Sequence, residues 1–437
     1  MNAFRLTHFH AGLAASLLLS WGHMVAADRA AKTFTPDAIA SEVLAKNPEV
    51  AFYEAEIAAA KGERRSAGTY ANPELNTEIG GKTARDRASG GLLGEGMAWS
   101  VSVQQTFEWP GRMALRKAIA NKQITLAELG QEKFKTALAA QARMLALKLF
   151  VAQEKARVAT EVADRFHALL EVLVQRETAG VTPLLEQRIL EANSVTLQRR
   201  ASESRLSAKA AMYELNQLRG EAFANDVVIT ADKLHFNDAP SVAALLAQAR
   251  DNNFELRMRQ VELQQQGFKV SLEEMEKNPS ITVGPFVRQE RADIKETVAG
   301  ISLSVPLPLW NRNKGGVETA QARVRQAETT MLLSQRSIER QVREQAETYQ
   351  SKLEEMSRWR PDAAQSLHDA AELGDRHYRL GALPIATYTE LQRQYLDAME
   401  ALLDTRSEAY IAAQELEVLT GARLYPTAAA TTGKAAK

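Results

Sequence analysis

Four short segments of the chain alternate apolar and polar residues, which is the pattern of a β-strand with one apolar and one polar face. In "ISLSV", residues 301–305, Ile301, Leu303 and Val305 alternate with two serines. The alternation predicts strands at about 73–83, 97–107, 279–290 and 296–307. The positions on the apolar side are Trp99, Val101, Val103, Phe107, Ile281, Val283, Ile301, Leu303 and Val305. Each pair of strands is therefore expected to form an amphipathic hairpin.

A long helical segment follows each strand pair. Residues 113–178 contain one glycine and no proline, so they can form one helix about 100 Å long. Their larger apolar residues recur at intervals of three, four and seven, which is typical of coiled-coil packing. A turn at 179–183 and a returning helix at 184–219 complete this unit. The second unit has a predicted helix at 316–379, kinked at Pro361, a turn at 380–384 and a returning helix at 385–420.

The same order of elements occurs twice. "YANPELNTEIGG" at 70–81 corresponds to "EKNPSITVGPF" at 276–286 with an offset of 206, and "AGVTPLLEQRILEA" at 179–192 corresponds to "LGALPIATYTELQRQ" at 380–394 with an offset of 201. "GRMALRKAIANKQ" and "NRNKGGVETAQAR", which start at 111 and 311, correspond with an offset of 200. Each repeat is expected to begin with one helix, 37–70 or 241–276, that ends at an Asn-Pro pair. We therefore divide the chain into a first repeat (28–220), a linker (221–240), a second repeat (241–421) and a low-complexity tail (422–437) that is expected to be disordered.

The first 27 residues resemble a secretory signal peptide. Arg5 precedes the apolar segment "AGLAASLLLSWG", and "VAA" before Asp28 provides the small residues of a cleavage site. The apolar segment is too short to span a bilayer as a helix, and no later segment has the roughly 20 apolar residues that a membrane helix requires. The mature chain is expected to be exported and to have no transmembrane helix.

Composition excludes several classes of function. Lys plus Arg equal Asp plus Glu at 54 each, so no net positive field attracts nucleic acid. The chain has no cysteine, which excludes disulfides, thiolate metal sites and a lipidated N-terminal cysteine. The histidines outside the leader match no metal-ligand spacing, and no phosphate-binding loop or nucleophile elbow is present. We expect no enzyme activity, no catalytic residues, no cofactor and no resident metal.

The predicted strands are too few to bury their apolar faces. Two hairpins joined to rod-like helices offer no second layer for a soluble sandwich, whereas a membrane barrel needs one apolar and one polar face. A sheet with open edges is not tolerated in lipid, and the smallest single-chain barrels have about eight strands. The four strands are therefore expected to combine with those of identical copies. Aromatic residues near the predicted strand ends would form an interfacial belt, although they could instead fill the core of a soluble sheet: Trp99, Phe107, Trp109, Phe286 and Trp310.

This duplicated order of elements resembles the outer membrane efflux protein family, the TolC-like channels, over essentially the whole mature chain. The motifs "FEWPGR" (107–112) and "PLPLWNRNKGG" (306–316) are most similar to the branch of heavy-metal efflux channels of the CzcC and CusC type. The resemblance implies a mainly α fold with a small transmembrane β part. It implies a homotrimer in the outer membrane, whose four strands per chain form a twelve-stranded barrel above a periplasmic tube of helices. The implied partners are a periplasmic adaptor (membrane fusion protein), an inner-membrane RND pump and outer membrane lipid.

The resemblance also indicates functional positions. The turns between long helices match the periplasmic tip where the adaptor docks: Gly180, Val181, Thr182, Pro183, Gly381, Ala382, Leu383 and Pro384. Glycine and proline could also be present only to form tight turns. Acidic residues just beyond the tip narrow the pore in such channels, which makes Glu390 and Glu186 candidates for a gate; the alternative is an exposed helix carboxylate. Thr387 occupies a position that is acidic in the family, so this chain departs there from the family's arrangement of two acidic rings.

Other functions compete with metal efflux. Drug efflux and type I protein secretion use channels with the same architecture, and the sequence does not identify the ion or the partner proteins. A periplasmic adaptor or coiled-coil scaffold would also combine a leader with long helical hairpins. An adaptor requires compact lipoyl-like and small barrel domains, and no segment has the pattern of either.

Overall fold

The computed structural model describes residues 33–177, 184–222, 226–231, 234, 236–360 and 362–424. The predicted signal peptide, the first tip turn with Gly180, Val181, Thr182 and Pro183, the residue Pro361 and the tail from 425 lie outside the described residues. The elements in chain order are β1 (Thr33–Phe34), α1 (Pro36–Lys46), α2 (Glu49–Ala67), β2 (Glu74–Arg85), β3 (Leu92–Phe107), α3 (Arg112–Glu177), α4 (Leu184–Arg219), β4 (Val228–Ile229), α5 (Val242–Asn252), α6 (Phe254–Met275), β5 (Ile281–Arg291), β6 (Lys295–Ser304), α7 (Lys314–Ser357), α8 (Ala363–Arg379) and α9 (Ile385–Thr420).

The longest helix, α3, has 66 residues, and α4 and α9 have 36 each. The second long helix differs from the prediction, because α7 ends at Ser357 and a separate helix, α8, begins at Ala363. A proline lacks the N–H that continues a helix and clashes with the preceding turn, so the proline at 361 accounts for a full break where a kink is predicted.

Each predicted opening helix is also divided in two. In the first repeat, α1 ends at Lys46 and the Asn47 side chain accepts a hydrogen bond from the Glu49 N–H at 2.8 Å. In the second repeat, the Asn253 side chain accepts from the Leu256 N–H at 3.2 Å and caps α6. Both breaks therefore contain an asparagine that offers the backbone a local alternative to the continued helix, and in the first break Pro48 also lacks the N–H that would continue α1.

Four strands form one antiparallel sheet in the order β2-β3-β5-β6, so the hairpins of the two repeats join through β3 and β5. The strand β3 begins at Leu92 instead of 97, and β2 continues to Arg85, because pairing extends through Thr83 and Glu95. The strand β6 ends at Ser304, so Val305 lies just beyond the sheet. Pro306 follows at once, and a proline cannot donate to a strand ladder.

The linker contributes a small element without a sequence signal. Its strand β4 pairs in parallel with β1, joining Thr33 to Val228 and Phe34 to Ile229. The Arg219 guanidinium lies over the Phe34 ring at 5.2 Å from the ring centroid. The chain before α1 is therefore held against the end of the first repeat.

The hydrophobic core lies among the helices and not against the sheet. One cluster surrounds Tyr349 and Leu416, a second surrounds Phe166 and Tyr388, and a third includes Ile39. None of these clusters includes a residue of the four-stranded sheet. Among the described residues, no helix combines the length and the apolar character that crossing a bilayer requires.

Tyr349 should make stability depend on pH. Its hydroxyl is buried and donates to the Asn237 carbonyl oxygen at 2.7 Å, and burial raises the pKa of Tyr349 to about 12. An unfolded tyrosine ionises near pH 10, so the stabilising effect is complete below about pH 10 and is lost as the pH rises towards 12. In Tyr349→Phe, this part of the alkaline loss of thermal stability should vanish, and the lost hydrogen bond should cost about 1 kcal/mol at neutral pH. Thermal unfolding of both proteins across this pH range checks the expectation; parallel curves would contradict it.

Candidate functional site: the amphipathic sheet, the helical tip and the joint between them

The strand register places the predicted apolar positions on one face of the sheet. Directly paired residues of an antiparallel sheet share a face. Val101 pairs with Val287, Leu303 pairs with Val283, and Ile301 pairs with Pro285. Pairing likewise places Trp99 opposite Ile79, Val103 opposite Leu75 and Phe107 opposite Ile281. We call this set the apolar face.

The apolar face is not covered by any other part of the described chain. Ile301 is 76% exposed, and Ile79, Leu75 and Leu303 are similarly exposed. Soluble monomers rarely expose a contiguous apolar patch of this kind, so the face requires an apolar partner.

The opposite face carries charged and hydroxyl side chains. The Lys82 ammonium lies 2.7 Å from a Glu290 carboxylate oxygen and 3.2 Å from one of Glu296. Arg288 forms a further ion pair with Glu290. The hydroxyls of Thr106 and Thr282 lie 2.9 Å apart, and Ser100 lies 3.1 Å from Glu78. This polar face is suited to water.

Both outer strands of the sheet have one neighbour only. Within the described residues, β2 pairs with β3 alone and β6 pairs with β5 alone. Each therefore presents a row of unpaired backbone N–H and C=O groups, which is a template for another strand.

The aromatic residues differ partly from the predicted belt. Trp109 and Trp310 lie just beyond the strands at the end nearest the long helices, and Trp310 is 94% exposed. Trp99 is instead well inside β3, because that strand begins five residues earlier than predicted. Phe286 is also inside its strand, and pairing with Ser102 and Gly300 places it on the polar face, so its predicted place in the belt is wrong.

The second tip turn is a compact helix end. Gly381 has a φ of +74°, a left-handed conformation that glycine adopts without strain. The Ala382 N–H donates to the His377 carbonyl oxygen and the Gly381 N–H donates to that of Tyr378, both at 2.9 Å. These bonds satisfy the last carbonyls of α8 in a Schellman arrangement. Ala382 and Pro384 are exposed and Leu383 is half-buried.

A stack of aromatic rings supports this tip from inside. The Tyr388 ring stacks on Tyr378 and Phe166, with centroids 4.8 and 5.3 Å away. Its buried hydroxyl donates to Asp375 at 3.1 Å, and Asp375 also pairs with Arg379. Burial and the negative charge of Asp375 raise the pKa of Tyr388. The tip turn is therefore fixed by packing that the sequence analysis did not identify.

The two candidate gate residues lie near the starts of the returning helices. Glu390 is exposed on α9, one turn beyond the tip, and its carboxylate contacts Arg393 at 3.0 Å and Gln394 at 2.8 Å. Glu186 is half-buried in the first turn of α4. Thr387 is exposed on α9. Glu186 and Glu390 therefore lie on separate helices, α4 and α9.

A buried arginine forms the joint between sheet and helices. Arg112, the first residue of α3, is 6% exposed, and its guanidinium donates to the Met275 carbonyl oxygen at 3.1 Å and to that of Asn278 at 2.6 Å. A Glu276 carboxylate oxygen lies 3.2 Å away. The arginine thereby holds the C-terminal end of α6 against the start of α3. Sequence reasoning missed this role, although the arginine closes the motif "FEWPGR" that it singled out.

Among the described residues, no group of three or more His, Asp or Glu side chains is arranged to hold a metal ion.

A family model and a known relative are similar to this chain. The family model described as "Outer membrane efflux protein" matches residues 245–422. The cobalt-zinc-cadmium resistance protein CzcC of Cupriavidus metallidurans is 22% identical over 398 residues, which cover 90% of this chain and 91% of CzcC.

Solved structures share the fold. A structure of CusC, described as undergoing conformational changes during folding and transmembrane channel formation, aligns with a TM-score of 0.70 at 14% identity and covers 89% of this chain and 92% of CusC. The CmeC outer membrane channel of Campylobacter jejuni also aligns with a TM-score of 0.70, at 13% identity, and covers 95% of this chain and 94% of CmeC.

Proposed function

We propose that this chain belongs to the outer membrane efflux protein family, whose model matches residues 245–422, and that it is the exit duct of a tripartite pump that exports heavy-metal cations. The observation that carries the metal assignment is the similarity to a cobalt-zinc-cadmium resistance protein along nine-tenths of both chains. The protein is located in the outer membrane, with its long helices in the periplasm. The duct is passive, and the energy comes from the inner-membrane RND pump.

The open sheet supports assembly as a homotrimer. Unpaired backbone groups cost several kcal/mol each in hydrocarbon, so β2 and β6 must find strands in other copies. Three copies would supply twelve strands, with the apolar face towards lipid and the polar face, with Lys82 and Glu290, towards water.

The helices lead to the same assembly. With the repeat offset of 201, Leu184 and Val195 of α4 correspond to Ile385 and Leu396 of α9. The α9 residues are 6% and 1% exposed, whereas Leu184 and Val195 are 66% and 72% exposed. Helix α9 packs against α3 on one side and α7 with α8 on the other, but α4 packs mainly against α3. The missing neighbour of α4 is then the α7 and α8 pair of a second copy.

The tip turns are the proposed docking site for the periplasmic adaptor. Gly381, Ala382 and Pro384 present a fixed, exposed backbone at the end of the α8–α9 hairpin, supported by the Tyr388 stack. A turn at the far end of a helical tube is the surface that a partner beneath it can reach. The corresponding residues of the first repeat, Gly180, Val181, Thr182 and Pro183, are proposed to contribute in the same way.

Glu390 is the proposed gate residue, with Glu186 as the weaker candidate. Three copies of an exposed carboxylate around a narrow axis attract cations and repel each other. The variant Glu390→Ala should raise single-channel conductance in planar bilayers and weaken block by divalent cations. Glu203→Ala, an exposed carboxylate further along α4, serves as the control. Unchanged conductance and unchanged block in Glu390→Ala would remove this residue from the gate.

Growth measurements test the metal assignment against its alternatives. An in-frame deletion of the gene should lower the tolerated concentrations of Co²⁺, Zn²⁺ or Cd²⁺, and the intact gene should restore them. Tolerance to organic drugs should not change. A deletion that affects drug tolerance alone would favour drug efflux, and one that affects only secretion of a protein would favour type I secretion. Either result would overturn the metal assignment and leave the channel assignment in place.

A further inference from the structure

The internal repeat relates contacts within one chain to contacts between copies. Within the chain, α3 of the first repeat packs against α6 of the second repeat. In the second repeat, the counterpart of α3 is α7, and the counterpart of α6 in the first repeat is α2. If the copies are arranged around a barrel, the equivalent contact between α7 and α2 cannot form within one chain. It must then join α7 of one copy to α2 of the next. This argument rests on the trimer of the proposed function.

The first residue of each long helix occupies an equivalent position. Gly111, with a φ of +99°, precedes Arg112, and Asn313, with a φ of +57°, precedes Lys314. These are the left-handed residues directly before α3 and α7. Lys314 is therefore the structural counterpart of Arg112, although the sequence offset of 200 pairs Arg112 with Arg312. The tryptophans before the two helices, Trp109 and Trp310, are already 201 positions apart, and one additional residue after Trp310 brings the offset at the helix start to 202.

The two counterparts differ in their surroundings. Arg112 is buried and donates to two carbonyl oxygens of the Asn-Pro segment after α6. Lys314 is exposed, and it forms no hydrogen bond or ion pair with any residue that the structure describes. A cation at this position has a defined partner in one repeat, and in the other repeat it has none among the residues that the structure describes.

The acceptors have counterparts too. The offset of 206 between the Asn-Pro segments relates Met275 and Asn278 to Thr69 and Asn72. Within the described chain, the carbonyl oxygens of Thr69 and Asn72 accept no hydrogen bond. They follow the C-terminal end of α2, where the helix dipole favours a cation. Two cations of the same chain lie near this helix end. The Lys117 side chain packs against Gly68 but donates to neither of these carbonyl oxygens, and the Arg64 guanidinium donates to Asn121 at 2.5 Å.

We propose that the Lys314 ammonium of one copy donates hydrogen bonds to the carbonyl oxygens of Thr69 and Asn72 of the adjacent copy. An ammonium has three donors, so it can serve both carbonyls at once. The contact repeats at each of the three seams, at the level where the membrane strands become periplasmic helices. Around the trimer, these contacts between copies would alternate with the Arg112 contacts within each chain. We call each such contact of a cation with two carbonyl oxygens a clamp.

The absence of cysteine makes a direct test possible. The double variant Lys314→Cys with Thr69→Cys is treated with a short bis-maleimide in isolated outer membranes. The expected products on a denaturing gel are covalent dimers and trimers. In the matched control, Lys133→Cys with Glu255→Cys, which replaces an ion pair between α3 and α6, the linker should close within one chain and leave the mass of a monomer. In a second control, Lys314→Cys with Glu54→Cys, the second cysteine lies on α2, fifteen residues before Thr69 in the sequence. This distance is too great for the short linker, so no covalent dimers should form.

Two outcomes separate this proposal from the proposed function. A protein that is trimeric by mass but gives no dimers with Lys314 and Thr69 replaced would overturn the clamp and leave the channel intact. The same holds if Arg312→Cys with Thr69→Cys forms dimers and Lys314→Cys does not. A monomeric protein would overturn both. As an independent readout, Lys314→Met should lower the temperature at which the SDS-resistant trimer dissociates, and Lys314→Arg should restore it.

Discussion

The variant Val101→Lys should remove most of the trimeric protein from the outer membrane. Val101 lies inside β3 on the apolar face, paired with Val287 and Thr77, and the proposed trimer turns this face towards lipid. A lysine facing the middle of the bilayer costs about 2–4 kcal/mol per chain, and the trimer carries three such residues. The expected result is a large fall in the SDS-resistant trimer recovered from outer membranes, measured by immunoblot of heated and unheated samples.

The neighbouring residue provides the control. Ser100→Lys adds the same charge one position away, on the polar face, where the Ser100 hydroxyl lies 3.1 Å from Glu78. Its lysine can pair with that carboxylate in water, so the amount of trimer should stay close to that of the unaltered protein. Equal losses in both variants would mean that the two faces of the sheet have similar surroundings, and the proposed orientation would be wrong.

Removal of the Arg112 guanidinium should have the second large effect. In Arg112→Met, the carbonyl oxygens of Met275 and Asn278 lose their donor at a buried joint. A buried polar group left without a partner costs about 1–3 kcal/mol, so a total of about 3–5 kcal/mol is expected. The temperature at which the trimer dissociates in SDS should fall markedly.

Arg340→Met is the control for this substitution. Arg340 is an exposed arginine of α7 that pairs with Glu344 one turn away, and such surface pairs contribute about 0.3–0.5 kcal/mol. Its dissociation temperature should barely change. If Arg112→Met changed the dissociation temperature as little as Arg340→Met, the joint would not depend on the buried hydrogen bonds of Arg112. The contact inferred for Lys314 by analogy with those bonds would then lose its support.

Periodicity predicted the two faces of the sheet because strand geometry repeats every two residues. Side chains alternate between the two faces of a strand, and the strands pair odd-numbered residues with odd-numbered residues over almost all of their length. An error in where a strand begins or ends therefore does not change the face of a residue, and one face carries Val101, Val103, Ile301 and Leu303. The same rule explains the error at Phe286, which was assigned to a belt by its proximity to a predicted end. Its even number places it with Ser102 and Gly300 on the polar face.

Local interruptions were harder to predict. The break between α7 and α8 contains a proline, and so does the break between α1 and α2. The presence of a proline in a sequence does not by itself indicate whether the helix bends or ends there. The break at Asn253 has no proline and depends on a side chain that caps the next helix. The strands β1 and β4 have two residues each, too few for any periodicity to be recognised.

The joint and the tip show what a single sequence cannot reveal. The acceptors of Arg112 lie in the other repeat, so only the tertiary fold brings them within hydrogen-bond distance. The Tyr388 stack likewise joins α3, α8 and α9. The repeat itself was visible in the sequence, and together with the structure it makes unpartnered surfaces such as Leu184 and Val195 interpretable as contacts between copies.

The most direct test of a sheet completed by identical copies is the mass of the particle. Native mass spectrometry of the full chain, extracted from outer membranes in mild detergent, should give a complex of three identical chains. Recovery of a single chain in the soluble periplasmic fraction, as expected for an adaptor or a coiled-coil scaffold, would contradict the assembly and the channel with it.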